Sequence, residues 1–274
     1  MFGKLLKYEF KSQQKLLTIL SFAALGAGLL GGLALWLLVD VLKNVEDTFA
    51  AAIGSVLCTI FMFGVILAIV AYVVGLFILL IYRFYKHHFS EQGYLTFTLP
   101  VTPHQTLLAS ILNIVIWEAI ALVTCLCAVC LMLAPSLAFA WKDAVPEIKM
   151  VWKELAENLP QLGGGYKVLS VLVTVASWAY ALIIPLTCIT IGCLLTKKYR
   201  ILTAFAIYYG LQLGVSLVSG VISVILTVAG LAQGDEAEGL LWLSSAIPCA
   251  LQLGLAIGGY FLMHRMVSKK LNLP

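Results

Sequence analysis

The chain alternates long apolar runs with short polar breaks. The apolar runs are Leu16–Val39, Phe49–Tyr82, Thr106–Trp141, Val168–Thr196, Ile201–Leu231 and Leu240–Met263. A helix needs about 20 apolar residues to cross the hydrocarbon core, so these runs predict six transmembrane helices. Strands are excluded, because a lipid-exposed backbone must satisfy its hydrogen bonds internally and the runs lack the alternation of a barrel. A long polar interruption is Arg83–Gln105, RFYKHHFSEQGYLTFTLPVTPHQ, with a basic-aromatic start, a Glu-x-Gly-Tyr centre and a Leu-Pro-x-Thr-Pro exit.

Composition agrees with the pattern. Of 274 residues, 62% are hydrophobic and only 11% charged, too little polar surface to coat a soluble globule. The mean hydropathy is +1.04. An all-α integral membrane protein is therefore expected.

Placement of Lys and Arg predicts the orientation. Lys4, Lys7, Lys11, Lys15, Arg83, Lys86, Lys197, Lys198, Arg200, Arg265, Lys269 and Lys270 fall on one side, with both termini. Lys43, Lys142, Lys149, Lys153 and Lys167 fall on the other, interspersed with acids, so both termini are expected in the cytoplasm. The net charge of +4 is then a topology signal, not a nucleic-acid signal.

The N-terminal 15 residues, MFGKLLKYEFKSQQK, put Phe2, Leu5, Leu6 and Phe10 broadly on one helical face flanked by Lys4, Lys7 and Lys11. This predicts an interfacial amphipathic helix. A secretory signal is the competing reading, but the following apolar run is longer than a usual signal core and lacks a small-residue cleavage pattern. The expected division is an interfacial helix 1–15, two spans in 16–82, a cytoplasmic loop 83–105, a third span 106–141, an extracellular amphipathic segment 142–167, and spans four to six with a cytoplasmic tail in 168–274.

Several features inside the spans bear on packing and chemistry. Gly28-x-x-x-Gly32, Gly210-x-x-x-Gly214 and Gly254-x-x-x-Gly258 each permit close helix approach, as is common in membrane helices. Pro185 with Thr187 and Thr190 permits a kink whose freed carbonyls are satisfied locally. Cys58, Cys125, Cys127, Cys130, Cys188, Cys193 and Cys249 all fall inside spans and read as packing residues. Glu118, beside Trp117, is the acid placed deepest in an apolar helix. A charge there costs about 2.5 to 3.5 kcal/mol, so Glu118 is either a pathway residue or proton carrier, or an internally hydrogen-bonded group.

Beyond the third span, Pro146 suits a helix start and Ile148, Val151, Trp152, Leu155 and Leu159 form an apolar stripe. This helix either covers a pathway mouth or lies passively on the outer leaflet. The stretch around Gly220 and Gly234–Gly239 reads equally as short helices broken at these glycines or as one long helix.

No catalytic constellation survives this placement. Gly163-Gly-Gly-Tyr-Lys167 lacks the order of a phosphate-cradling Walker loop, so any nucleotide hydrolysis belongs to another chain. His87, His88, His104 and His264 lack metal-site spacing, and no metal is expected. There is neither a nucleophile-base cluster nor a basic groove for nucleic acid.

The run from Ser90 to Pro103, SEQGYLTFTLPVTP, followed by a helix near Gln105, resembles the first cytoplasmic loop of permease subunits from bacterial type-2 ATP-binding-cassette exporters. The N-terminal K-x-x-K-Y-E-F, Lys4 to Phe10, is similar to the start of such subunits, and the six-span layout agrees over essentially the whole chain. The loop carries the specific part of the likeness.

The resemblance implies that Phe89, Glu91, Gly93, Tyr94, Leu99 and Pro100 form a coupling element, with an interfacial helix marked by Lys4, Lys7, Tyr8 and Phe10. Both would contact a separate ATPase subunit that binds ATP and magnesium. A second permease subunit, identical or related, completes the pathway through the bilayer. The expected function is export of an amphipathic or hydrophobic cargo by a pore-forming subunit that is not itself an enzyme. A proton-coupled transporter using Glu118, or a non-transporting scaffold or sensor, is the alternative.

Overall fold

The computed structural model describes residues 2–44, 48–89, 102–161, 164–196, 198–233 and 237–270. Among these, every residue except Thr102, Thr196, Lys198 and Tyr199 is helical. Helix is what an apolar chain without water must form, since each backbone N–H then finds its acceptor within its own segment. The elements are α1 (Phe2–Asn44), α2 (Thr48–Phe89), α3 (Pro103–Gln161), α4 (Gly164–Leu195), α5 (Arg200–Gln233) and α6 (Ala237–Lys270). Six stretches are long and apolar enough to cross a membrane: Phe2–Leu38, Ala52–Phe89, Pro103–Pro135, Val168–Leu195, Arg200–Ala229 and Leu243–Ser268. This is an all-helical, multi-pass membrane protein.

Helix runs without a break across two of the expected boundaries. The N-terminal segment and the first span form one unbroken helix of 43 residues, about 65 Å long against a hydrocarbon core of about 30 Å. Helix also continues past the third span through Pro146 to Gln161. Between spans five and six, α5 runs without a break to Gln233, and α6 begins at Ala237.

The chain divides into two compact units, Met1–Tyr82 with Gln105–Glu154 and Arg83–His104 with Leu155–Pro274. In the first unit α1 lies antiparallel to α2. Ser21 and Tyr72 share a hydroxyl hydrogen bond of 3.0 Å, and further along α1 Gly31 meets the earlier residue Val65. Parallel to α1 runs α3, which approaches to backbone contact. A Cβ on Gly28 would lie 2.6 Å from the Ala128 carbonyl oxygen, and one on Gly32 would lie 2.6 Å from that of Leu131. The Gly28-x-x-x-Gly32 pattern therefore serves packing within the chain. Among the described residues, nothing lies within 4 Å of the position a Cβ would take on Gly210, Gly214, Gly254 or Gly258.

In the second unit α4 packs against α5 and α6. Tyr180, Ile184 and Cys188 on α4 form a buried row that receives Ile207, Tyr208 and Leu211 from α5 and Leu255 from α6. Gly192 brings the start of α5 close, since a Cβ there would stand 2.7 Å from the Ala204 nitrogen. Only a narrow stripe of α5 turns inward. Phe205, Leu213, Leu217, Val221 and Ile225 face outward, an arrangement suited to hydrocarbon and not to water.

Within the α4–α5 pair, the Tyr180 hydroxyl donates to Gln212 Oε1 at 3.1 Å. Tyr180→Phe is expected to lower stability by about 0.6 kcal/mol, the usual size of a side-chain hydrogen bond between membrane helices. Reversible unfolding in mixed micelles measures it, and Tyr180→Phe/Gln212→Leu should cost no more than the larger single change.

The expected roles of the proline and the cysteines need correction. Pro185 sits inside a continuous α4. Lacking an N–H, it frees the carbonyl four residues back, that of Ala181. The Thr187 and Thr190 hydroxyls instead bond the carbonyls of Ile183 and Leu186, each at 2.9 Å, because a threonine reaches back only along its own turn. Of the seven cysteines, all unpaired, only Cys188 and Cys249 are buried. Cys127 and Cys130 are exposed, so they are not packing residues within this chain.

Candidate functional site

The polar segment between α2 and α3 is the natural place to look for a partner contact. Its residues 90–101, including Glu91, Gly93, Tyr94, Leu99 and Pro100, lie outside the described residues. Both of its flanks are described, and both belong to the second unit.

The leading flank is the last turn of α2. The end of a helix leaves carbonyls without intrahelical donors. Here the Phe89 carbonyl accepts a long hydrogen bond of 3.4 Å from Arg200 Nη1, at the first residue of α5. Phe84, His88 and Phe89 are all buried, with His88 at 0% exposure. The Phe84 and His88 rings stand 4.5 Å apart, Tyr85 stacks on Phe89 at 6.5 Å, and His88 Nδ1 is 3.2 Å from the Phe84 carbonyl oxygen. An aromatic plug thus fixes the point where the chain leaves the helix.

Arg200 is itself held firmly. The turn joining α4 to α5 is closed by a 2.8 Å hydrogen bond between the Thr196 and Thr203 hydroxyls. Backbone bonds from Thr196 N to Gly192 O at 3.2 Å and from Thr203 N to Tyr199 O at 3.0 Å tighten it further. Gly192 is required there, because the Arg200 carbonyl oxygen would lie 2.8 Å from its Cβ.

The trailing flank is the start of α3. His104, the second residue of that helix, has its Nδ1 hydrogen-bonded to the Tyr260 hydroxyl of α6. One turn on along α6, the His264 ring centre lies 5.7 Å from that of His104. Buried Met263 and Val267 seat this end of α6. The pairing of His104 with Tyr260 and His264 has no local signal in the sequence, since 156 residues separate the hydrogen-bonded partners.

The N-terminal candidates divide by exposure. Lys4, Lys7 and Tyr8 face outward, Tyr8 at 72% exposure. Phe10 turns inward and stacks on Trp117 of α3, with ring centres 4.9 Å apart. The inward positions are Phe2, Leu5, Leu6, Glu9, Phe10, Gln13 and Leu17, a helical stripe carrying two polar residues that hydrophobic patterning passed over. Glu9 Oε1 accepts a 2.7 Å hydrogen bond from the Ser110 hydroxyl of α3. Glu118, on the same helix, is half-buried beside the buried Trp117.

Among the described residues, no group of three or more His, Cys, Asp or Glu side chains is placed to hold a metal ion. No family model, curated protein or solved structure matches the chain.

Proposed function

We propose that this chain is the membrane-spanning subunit of an ATP-driven exporter in a bacterial cytoplasmic membrane. A separate ATPase subunit would bind ATP and magnesium, and a second permease subunit, identical or related, would complete the pathway. The observation that carries this reading is that both flanks of the polar segment are fastened to helices of one unit, Phe89 to α5 through Arg200 and His104 to α6 through Tyr260. A push on residues 90–101 would be delivered to the ends of two apolar helices and not dissipated in a slack connection.

The N-terminal residues fit the same reading with divided roles. Lys4, Lys7 and Tyr8 are available to a partner, whereas Phe10 anchors the segment to Trp117. Lys and Arg gather at the termini and at the two connections α2–α3 and α4–α5, which supports placing these on the cytoplasmic side. The cargo is proposed to be amphipathic or hydrophobic, such as a peptide, lipid-like molecule or drug.

Purification of the tagged chain from its native membrane tests the assembly. A nucleotide-binding ATPase is expected to co-purify, and the reconstituted complex should move cargo only with magnesium and ATP. Transport that ignores ATP and stops when the proton gradient is collapsed would overturn the proposal and direct attention to Glu118.

A further inference from the structure

We propose that the α4–α5 turn forms a binding site for the phosphodiester headgroup of an acidic phospholipid. An open cleft of about 440 Å³ lies there, lined by Tyr85, Lys198, Tyr199, Arg200, Ile201 and Leu202. Its volume falls within the roughly 300–1,000 Å³ of ordinary ligand sites. Its position is set by the spans, since the turn joins Val168–Leu195 to Arg200–Ala229 at the boundary between hydrocarbon and water.

The lining chemistry selects an anion. Lys198 and Arg200 supply two cations, and among the described residues that line the cleft none is acidic. The whole of α2, α4 and α5, which furnish or flank the cleft, contains no Asp or Glu. The nearest acid in sequence is Glu91, outside the described residues. Lys198 Nζ sits 5.6 Å from the Tyr199 ring centre, and Arg200 spends Nη1 on the Phe89 carbonyl. Among the described residues, Arg200 Nε is buried without a hydrogen-bond partner. A guanidinium, an ammonium and two phenol side chains are groups that bind a phosphate.

The apolar part of the cleft distinguishes a lipid from a free phosphate. Ile201 and Leu202 are 61% and 69% exposed, and Phe205 continues the same outward surface one turn further along α5. Charge at the mouth with apolar surface leading into the span matches a molecule whose head is anionic and whose tails are hydrocarbon. This inference stands apart from the coupling reading, because it uses lipid binding and not transport as its readout.

The test uses the full chain in nanodiscs of phosphatidylcholine alone or mixed with increasing phosphatidylglycerol, with inorganic phosphate as a separate arm. Thermal unfolding and mass spectrometry of retained lipid are the measurements. Phosphatidylglycerol is expected to raise the melting temperature saturably and to be retained preferentially. Lys198→Gln should weaken its apparent affinity about fivefold, matching about 1 kcal/mol per surface cation. Arg200→Lys, which keeps the charge and loses the planar fork, should give a smaller loss.

Equal stabilisation by both lipids would overturn the site. So would an unchanged phosphatidylglycerol response in Lys198→Gln, an exposed position where folding is not at stake. Stabilisation by inorganic phosphate equal to that by phosphatidylglycerol would reduce the cleft to an anion site and overturn its assignment to lipid.

Discussion

Gly28→Val is expected to unseat α1 from α3. A Cβ at this position would meet the Ala128 carbonyl oxygen at 2.6 Å and its Cα at 2.9 Å. Both are backbone atoms, so no side chain can swing aside and the helices themselves must separate. Overpacking costs about 1–3 kcal/mol where the surroundings relax, and a clash between two backbones belongs at or beyond the upper end. Gly32→Val meets the Leu131 carbonyl oxygen at the same 2.6 Å and should behave alike. Gly26→Ala and Gly64→Ala, with nothing within 4 Å, are the internal controls. They should be neutral or stabilising by up to about 1 kcal/mol, the helix preference of alanine over glycine. Unfolding in detergent across the four variants checks this, and a Gly28→Val protein as stable as Gly26→Ala would refute the α1–α3 seam.

The second large effect concerns energy transfer. If the chain is the permease subunit proposed above, Glu91→Ala and Gly93→Val should reduce transport per ATP hydrolysed in the assembled complex while ATP hydrolysis continues. A coupling free energy of about 1–3 kcal/mol corresponds to a loss of about 5- to 150-fold. Arg200→Ala and Tyr260→Phe should act in the same direction, since they release the two flanks through which residues 90–101 are fastened. The ratio of cargo moved to phosphate released in proteoliposomes is the measurement. A wild-type ratio in both Glu91→Ala and Gly93→Val would remove the coupling assignment from this segment. A wild-type ratio in Arg200→Ala and Tyr260→Phe alone would leave the contact intact and dismiss the flanks as its route.

Individual residues show how far the sequence could be read. The three Gly-x-x-x-Gly patterns are alike as strings, yet only Gly28 and Gly32 meet another helix. Close approach depends on what stands opposite, and nothing local in a helix records that. Gly259, outside all three patterns, does meet a neighbour, with Thr187 Oγ1 3.0 Å from its Cβ position. The aromatic plug of Phe84, His88 and Phe89 was legible in part, because helical spacing puts residues 84 and 88 on one face. His104 with Tyr260 and His264 was not, since the partners come from opposite parts of the chain.

The amino-acid sequence alone determined that this is a membrane protein of six helical spans. That property is local: the length and apolarity of each run set its free energy of insertion, whatever its neighbours. The polar run between the second and third helices was equally visible, as a break that lipid would not tolerate. Tertiary structure decided which faces are buried, that the N-terminal segment continues without a break into the first span, and that the flanks of the polar run are fastened to α5 and α6. Those outcomes depend on pairwise contacts between helices far apart in sequence. Such contacts are selected by shape and hydrogen bonding, and hydrophobic periodicity is blind to both.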